Sequence, residues 1–176
     1  MLDFLYTANS KKLLGASFLI AIMVLGVANL LAISVLIAIS LVLSFAIGQW
    51  NIKSIGLELV TFITVLSAMS YGTLAGAIIG LVLIVFHIAI PHYSGAYVIW
   101  VIPEYALAAI LANILSGNAA SVGITVTLAL NAINILFTFI AYKPNLAKYL
   151  PYAFTNIIFN VILFSQAGEF ILGLMK

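Results

Sequence analysis

Of 176 residues, 6% are charged and 66% hydrophobic, with a mean hydropathy of +1.34. A soluble domain carries about a quarter charged residues, so this chain cannot cover a surface in water and lipid must be its solvent. Six lysines, no arginine and a net charge of +2 are too sparse for a nucleic-acid surface, and the absence of cysteine excludes disulfides, thiolate catalysis and cysteine metal sites.

The chain begins MLDFLYTANSKK, a lysine pair before an apolar run. The run continues without a small-residue cleavage pattern, so it reads as a retained anchor rather than a signal peptide. Residues 13–48 would make a single helix of about 54 Å against a hydrocarbon core of about 30 Å. A break is therefore expected, and Gly26-Val27-Ala28-Asn29 interrupts the run near its middle. Either two spans, 13–27 and 29–48, or one long tilted and kinked helix follows from this; two spans are the preferred reading, the first being an additional N-terminal one. Gln49 to Ser54 make an interfacial loop, with Trp50 suited to the headgroup belt.

The next spans, 55–71 and 73–90, are joined by so short a turn that they must be antiparallel neighbours. Ala68, Gly72, Gly76 and Gly80 recur every four residues and draw a groove of missing side chains down one helix face. Such a ridge serves packing within the chain or docking of a partner subunit. Ala28 and Ala32 form a shorter pair of the same kind. PHYSG, 91–95, is a loop, and 96–116 a span that Pro103 should kink or restart, because proline lacks a backbone donor. A turn at 117–121, a span at 122–142, a lysine-containing loop at 143–150 and a span at 151–175 complete the chain. Pro151 is expected in the first turn of that last helix.

The expected architecture is an all-α integral membrane protein, a bundle of six to seven transmembrane helices with short loops. It forms a single multi-pass domain in the cell membrane, with a core bundle over 28–175. With seven spans and the N-terminus inside, Lys11, Lys12, Lys53, Lys143 and Lys148 fall on the cytoplasmic side and Lys176 outside.

Glu104 is the leading functional candidate. It lies well inside an apolar span beside a proline, where an ionisable group costs a few kcal/mol unless it pairs, protonates or meets water. Either it forms a polar pocket helped by backbone groups freed at Pro103, or it simply bonds a neighbouring helix. Asn131 and Asn134 share a helix face, as do Asn156 and Asn160. These amides bridge the last two helices or line a ligand site with Glu104, and Asn113 could join either arrangement. Glu58 and Glu169 lie near span ends and are expected to snorkel to the interface. His92, Tyr93, Tyr97 and Trp100 are belt aromatics that could also contact a ligand. His87 and His92 are wrongly spaced for a helical metal site, and no metal or cofactor is expected. No catalytic triad, paired catalytic carboxylates or phosphate loop is visible, so an enzyme is not expected.

A Tyr71-Gly72 turn followed by Gly76 and Gly80, a short polar loop and the span IPEYALAAILANILSG together resemble the membrane-embedded substrate-binding (S) components of energy-coupling-factor (ECF) transporters. The rod-shape membrane protein MreD has a broadly similar outline. The resemblance implies a vitamin-like nutrient bound by a transporter subunit with no ATPase activity of its own, the coupling protein and ATPases being separate chains. It also implies that Ala28 and Ala32 match the small-residue motif that meets the coupling subunit. Ligand contacts would come from the loops at 49–54, 91–97 and 143–150, placed outside the cell. The lysine distribution places those loops inside. The alternative function is a non-catalytic structural or accessory subunit of a larger membrane complex.

Overall fold

The computed structural model describes residues 29–50, 52, 54–91, 95, 97–142 and 146–176. The expected span 13–27 and Ala28, His92 and Tyr93 lie outside the described residues. The elements are all helical: α1 (Asn29–Gln49), α2 (Val60–Tyr71), α3 (Thr73–Ala89), α4 (Val98–Ile114), α5 (Ala119–Tyr142) and α6 (Leu146–Met175). Three of them, α1, α5 and α6, are long and apolar enough to cross a membrane. The helices α3 and α4 have 17 residues each and α2 only 12.

Successive helices run in alternating directions, as their end contacts demonstrate. Gly48 lies against Pro91, joining the end of α1 to the end of α3. At the opposite end the Tyr71 hydroxyl donates to the Asn29 carbonyl, and Asn113 Nδ2 donates to Thr73 Oγ1 at 2.8 Å. The Ala119 N–H, at the start of α5, donates to the Glu169 carboxylate near the end of α6. One end of the bundle therefore holds the ends of α1, α3 and α5 and the starts of α4 and α6.

The helix at the centre is the shortest. All residues from Val60 to Ala68 are buried, and α2 packs against α3, α4, α5 and α6. Val60, Thr61, Ile63, Thr64 and Val65 are β-branched and weak helix formers in water. Without water to satisfy the backbone, the helix is nevertheless the state that pairs every amide, and its all-round hydrophobicity suits burial on every side. Phe62 meets Phe164 of α6 with ring centroids 4.8 Å apart. The Phe164 ring in turn lies against Gly123 of α5, where any Cβ would collide with it.

The small-residue ridge lies between α2 and α3. A Cβ at Gly76 would sit 2.7 Å from Ala68 Cα, and one at Gly80 2.5 Å from Thr64 Oγ1. Gly72 makes the turn itself: its φ of 90° is a conformation that costs other residues strain. The two helices thus form the tight antiparallel hairpin that the sequence implies.

The starts of α2 and α6 differ from expectation. Residues 55–59, expected to be helical, are irregular, and α2 begins only at Val60. At the boundary itself Glu58 accepts from the Thr61 N–H at 2.9 Å and the Thr61 hydroxyl at 2.6 Å, closing the start of the helix. A carboxylate here also complements the helix dipole. In α6 the helix begins at Leu146, so Pro151 lies inside it rather than in its first turn. Only one backbone bond is lost that near the start, and Tyr149 stacks on Tyr152 across the proline with centroids 5.8 Å apart. Pro103 likewise sits inside α4, which continues through it.

Candidate functional site

Two polar clusters lie inside this apolar bundle. The first fastens the irregular segment before α2 to α6. Gly56 is packed against the α6 backbone, where a Cβ would collide with the Tyr152 carbonyl. Its N–H donates to Thr155 Oγ1 at 2.8 Å, and its carbonyl accepts from Asn156 Nδ2 at 3.2 Å. Asn156 Nδ2 also donates to Glu58 Oε1 at 3.1 Å, while Asn156 Oδ1 accepts from Asn131 Nδ2 at 2.9 Å. Asn131 completes its own bonding with the Thr127 carbonyl at 2.9 Å. Non-helical backbone at membrane depth needs protein partners for its amides and carbonyls. These side chains supply them.

Glu58 is 1% exposed, so it does not snorkel as its position near a span end suggested. Its oxygens are bonded by Thr61 and Asn156, and that bonding is what makes the burial tolerable. Glu169, the other carboxyl expected at the interface, is exposed and bonded to the first amide of α5.

The second cluster is incomplete. Glu104 on α4 is buried, and its Oε2 accepts from Asn134 Nδ2 of α5 at 2.5 Å. Asn134 Nδ2 is also held by the Leu130 carbonyl of its own helix at 3.2 Å. Among the described residues, Glu104 Oε1 has no hydrogen-bond partner. One helical turn away, Trp100 stacks on Phe137 of α5 with centroids 5.8 Å apart and planes inclined at 20°, and its buried Nε1 also lacks a partner among them. The pairs Trp100–Phe137 and Glu104–Asn134 are successive rungs between α4 and α5, because positions three and four apart share a helix face. Tyr105, next to Glu104 in sequence, is buried as well. Asn131 of the first cluster and Asn134 of the second lie three positions apart on α5, so the two clusters are neighbours, toward the end of the bundle where α4 and α6 begin.

The remaining candidates distribute as follows. Asn160 is fully buried; its Nδ2 donates to the Asn156 carbonyl at 3.1 Å, and its Oδ1 has no partner. Asn113 is exposed at the other end and bonded to Thr73, away from both clusters. His87 is buried between α1 and α3, with Nδ1 2.8 Å from Ser44 Oγ. Ala32 packs against the hydrophobic core. Among the described residues, no group of three or more His, Asp or Glu could hold a metal ion. An apolar recess of about 260 Å³ lies elsewhere, lined by Ile55, Leu57, Thr155, Ile158, Phe159 and Ile162. Its one polar side chain, Thr155, is already bonded to Gly56 and Pro151.

Reading the residues alone missed Glu58 and Tyr105 as members of the polar interior. The available signal for Glu58 was its place two residues after Gly56 and three before Thr61, a carboxylate positioned to close a helix start. Compared with known proteins, the chain significantly matches no family model, no curated sequence and no solved structure.

Proposed function

We propose that this chain is a membrane-embedded transporter subunit that binds a small water-soluble nutrient, without ATPase activity of its own, at the seam of α4 and α5. The observation that carries the reading is the pair of buried, unpartnered atoms one turn apart on α4: an acceptor, Glu104 Oε1, and a donor, Trp100 Nε1. A buried polar group without a partner costs about 1–3 kcal/mol, and such groups concentrate where an occupant completes them. In this reading all six helices belong to a multi-pass bundle, with the buried segment before α2 extending that short helix toward the membrane surface. Hydrolysis of ATP and energy coupling belong to other chains, as the resemblance to S components implies.

The accessory-subunit alternative draws on the small-residue ridges and on the near-absence of soluble loops. Gly76 and Gly80 are covered by α2 within the chain, so the ridge at those positions speaks for internal packing.

Native mass spectrometry of protein extracted in mild detergent tests the proposal. The expected result is a stoichiometric small molecule retained by the wild type and lost in Glu104→Gln. A wild-type protein that carries no small molecule, and acquires none when incubated with a membrane-free cell extract, contradicts it.

A further inference from the structure

We infer that the occupant of the Trp100–Glu104 seam is an organic cation, a protonated nitrogen attached to a group that can also accept a hydrogen bond. This rests on the binding reading above and adds the chemical class of the ligand.

The argument begins with charge. The seam brings together the Glu104 carboxyl, the Trp100 indole and the Phe137 ring, with the Glu58 carboxyl in the adjacent cluster. The chain has no arginine. Of the described lysines, Lys148 is exposed and Lys176 lies at the opposite end of the bundle. Recognition of a carboxylate or phosphate requires arginine, lysine or converging backbone amides. Among the described residues the seam offers none. A protonated amine at the Glu104 oxygen left without a partner would favour the ionised carboxyl, and desolvation would strengthen the attraction between the two.

The aromatic pair points the same way. A cation over the face of an indole gains attraction from the ring quadrupole, most strongly when it is shielded from water. The Trp100 Nε1 donor adds a geometric condition. It is satisfied only if the ligand also presents an oxygen or ring nitrogen that accepts from the indole N–H. A bare metal ion meets neither the aromatic nor the donor requirement.

A charge-inverted pair of probes tests this: tyramine, with a protonated amine and a phenol oxygen, and 3-(4-hydroxyphenyl)propionate, of similar shape with a carboxylate. The chain has two tryptophans, so Trp50→Phe, at a position 73% exposed, leaves Trp100 as the only indole. Its emission, excited where phenols do not absorb, reports occupation of the seam in the full-length purified protein. The expected result is at least about tenfold tighter binding of tyramine than of the propionate, a preference abolished by Glu104→Gln and kept by Glu104→Asp. Thermal melts establish that both variants are folded.

Equal affinity for the two probes, tighter binding of the anion, a preference that survives Glu104→Gln, or no change in Trp100 emission with either probe overturns the inference. None of these results bears on whether wild-type protein retains a small molecule in native mass spectrometry. A retained neutral or anionic compound would contradict the charge assignment while leaving the binding function standing.

Discussion

Asn156 donates from one amide nitrogen to the Gly56 carbonyl at 3.2 Å and to the Glu58 carboxylate at 3.1 Å, fastening the irregular entry to α2 onto α6. The same side chain accepts from Asn131 of α5. One residue thus joins three parts of the chain inside a lipid-solvated bundle. Its removal should affect more than a single bond.

For Asn156→Ala we expect a loss of about 2–4 kcal/mol, since buried groups left without partners cost about 1–3 kcal/mol each. Asn156→Leu fills the volume but strands the same partners and should be no better. Thermal unfolding in detergent, combined with Glu58→Gln in a double-mutant cycle, measures the coupling. Additive losses would show that the two side chains do not act together.

The glycines of the α2–α3 hairpin should differ sharply among themselves. Gly76→Ala forces the α2 backbone at Ala68 to move, because the new Cβ would lie 2.7 Å from a main-chain carbon. Overpacking of this kind costs about 1–3 kcal/mol. Gly72→Ala meets no atom within 4 Å but must hold a φ of 90°, with a loss of about 1 kcal/mol expected. Gly173, in α6 with open space around it, serves as the control. Alanine there should be neutral or stabilising by up to about 1 kcal/mol.

How much of this was legible beforehand depends on which signal each feature left. The antiparallel hairpin at Gly72 follows from a four-residue repeat of small side chains, and that repeat is a direct imprint of backbone approach. The buried carboxyl at Glu104 follows from its depth in an apolar run. The start of α2 was not legible, because an apolar sequence such as Ile55 to Leu59 gives lipid-compatible hydropathy whether it is helical or extended. Its irregular form depends on Thr155 and Asn156, about a hundred positions away. Pro151 misled for a related reason: proline favours a first turn, but stacking of Tyr149 on Tyr152 accompanies a helix that begins earlier. The pairing of Trp100 with Phe137 is likewise a relation between helices, set by how α4 and α5 cross.

Glu169 should matter locally. It is exposed and bonded to the Ala119 N–H at the start of α5. Glu169→Ala should therefore cost about 0.5–2 kcal/mol, the usual range for a lost cap. Hydrogen exchange should accelerate at Ala119 to Val122 while the middle of α5 stays protected. Uniform acceleration along α5 would mean that the bond supports the whole helix–helix packing.

Glu104 should behave in the opposite way to Asn156. Glu104→Leu removes a buried carboxyl with an unpartnered oxygen, and Asn134 keeps its bond to the Leu130 carbonyl. Thermal stability should be unchanged or higher, while retention of the bound small molecule is lost. This is the trade-off expected where a binding site is maintained against stability. A strongly destabilised Glu104→Leu variant would assign the residue to holding α4 against α5 instead.

The binding reading also sets an orientation. The seam lies toward the end of the bundle that carries Gln49 and Trp50, and nutrient uptake requires that end to face outward, against the direction suggested by the lysines. Gln49→Cys, in a chain with no cysteine of its own, should react with a membrane-impermeant maleimide in intact cells. Reaction only after the membrane is opened would reverse the assignment.

The central claim is that the Trp100–Glu104 seam is completed by a bound small molecule. An experimental structure of protein purified from its native membrane tests it most directly. The account predicts non-protein density within hydrogen-bonding distance of Glu104 Oε1 and Trp100 Nε1, extending over the Trp100 ring. A seam closed by protein groups, with both atoms bonded to neighbouring side chains or backbone and no space between α4 and α5, would contradict it.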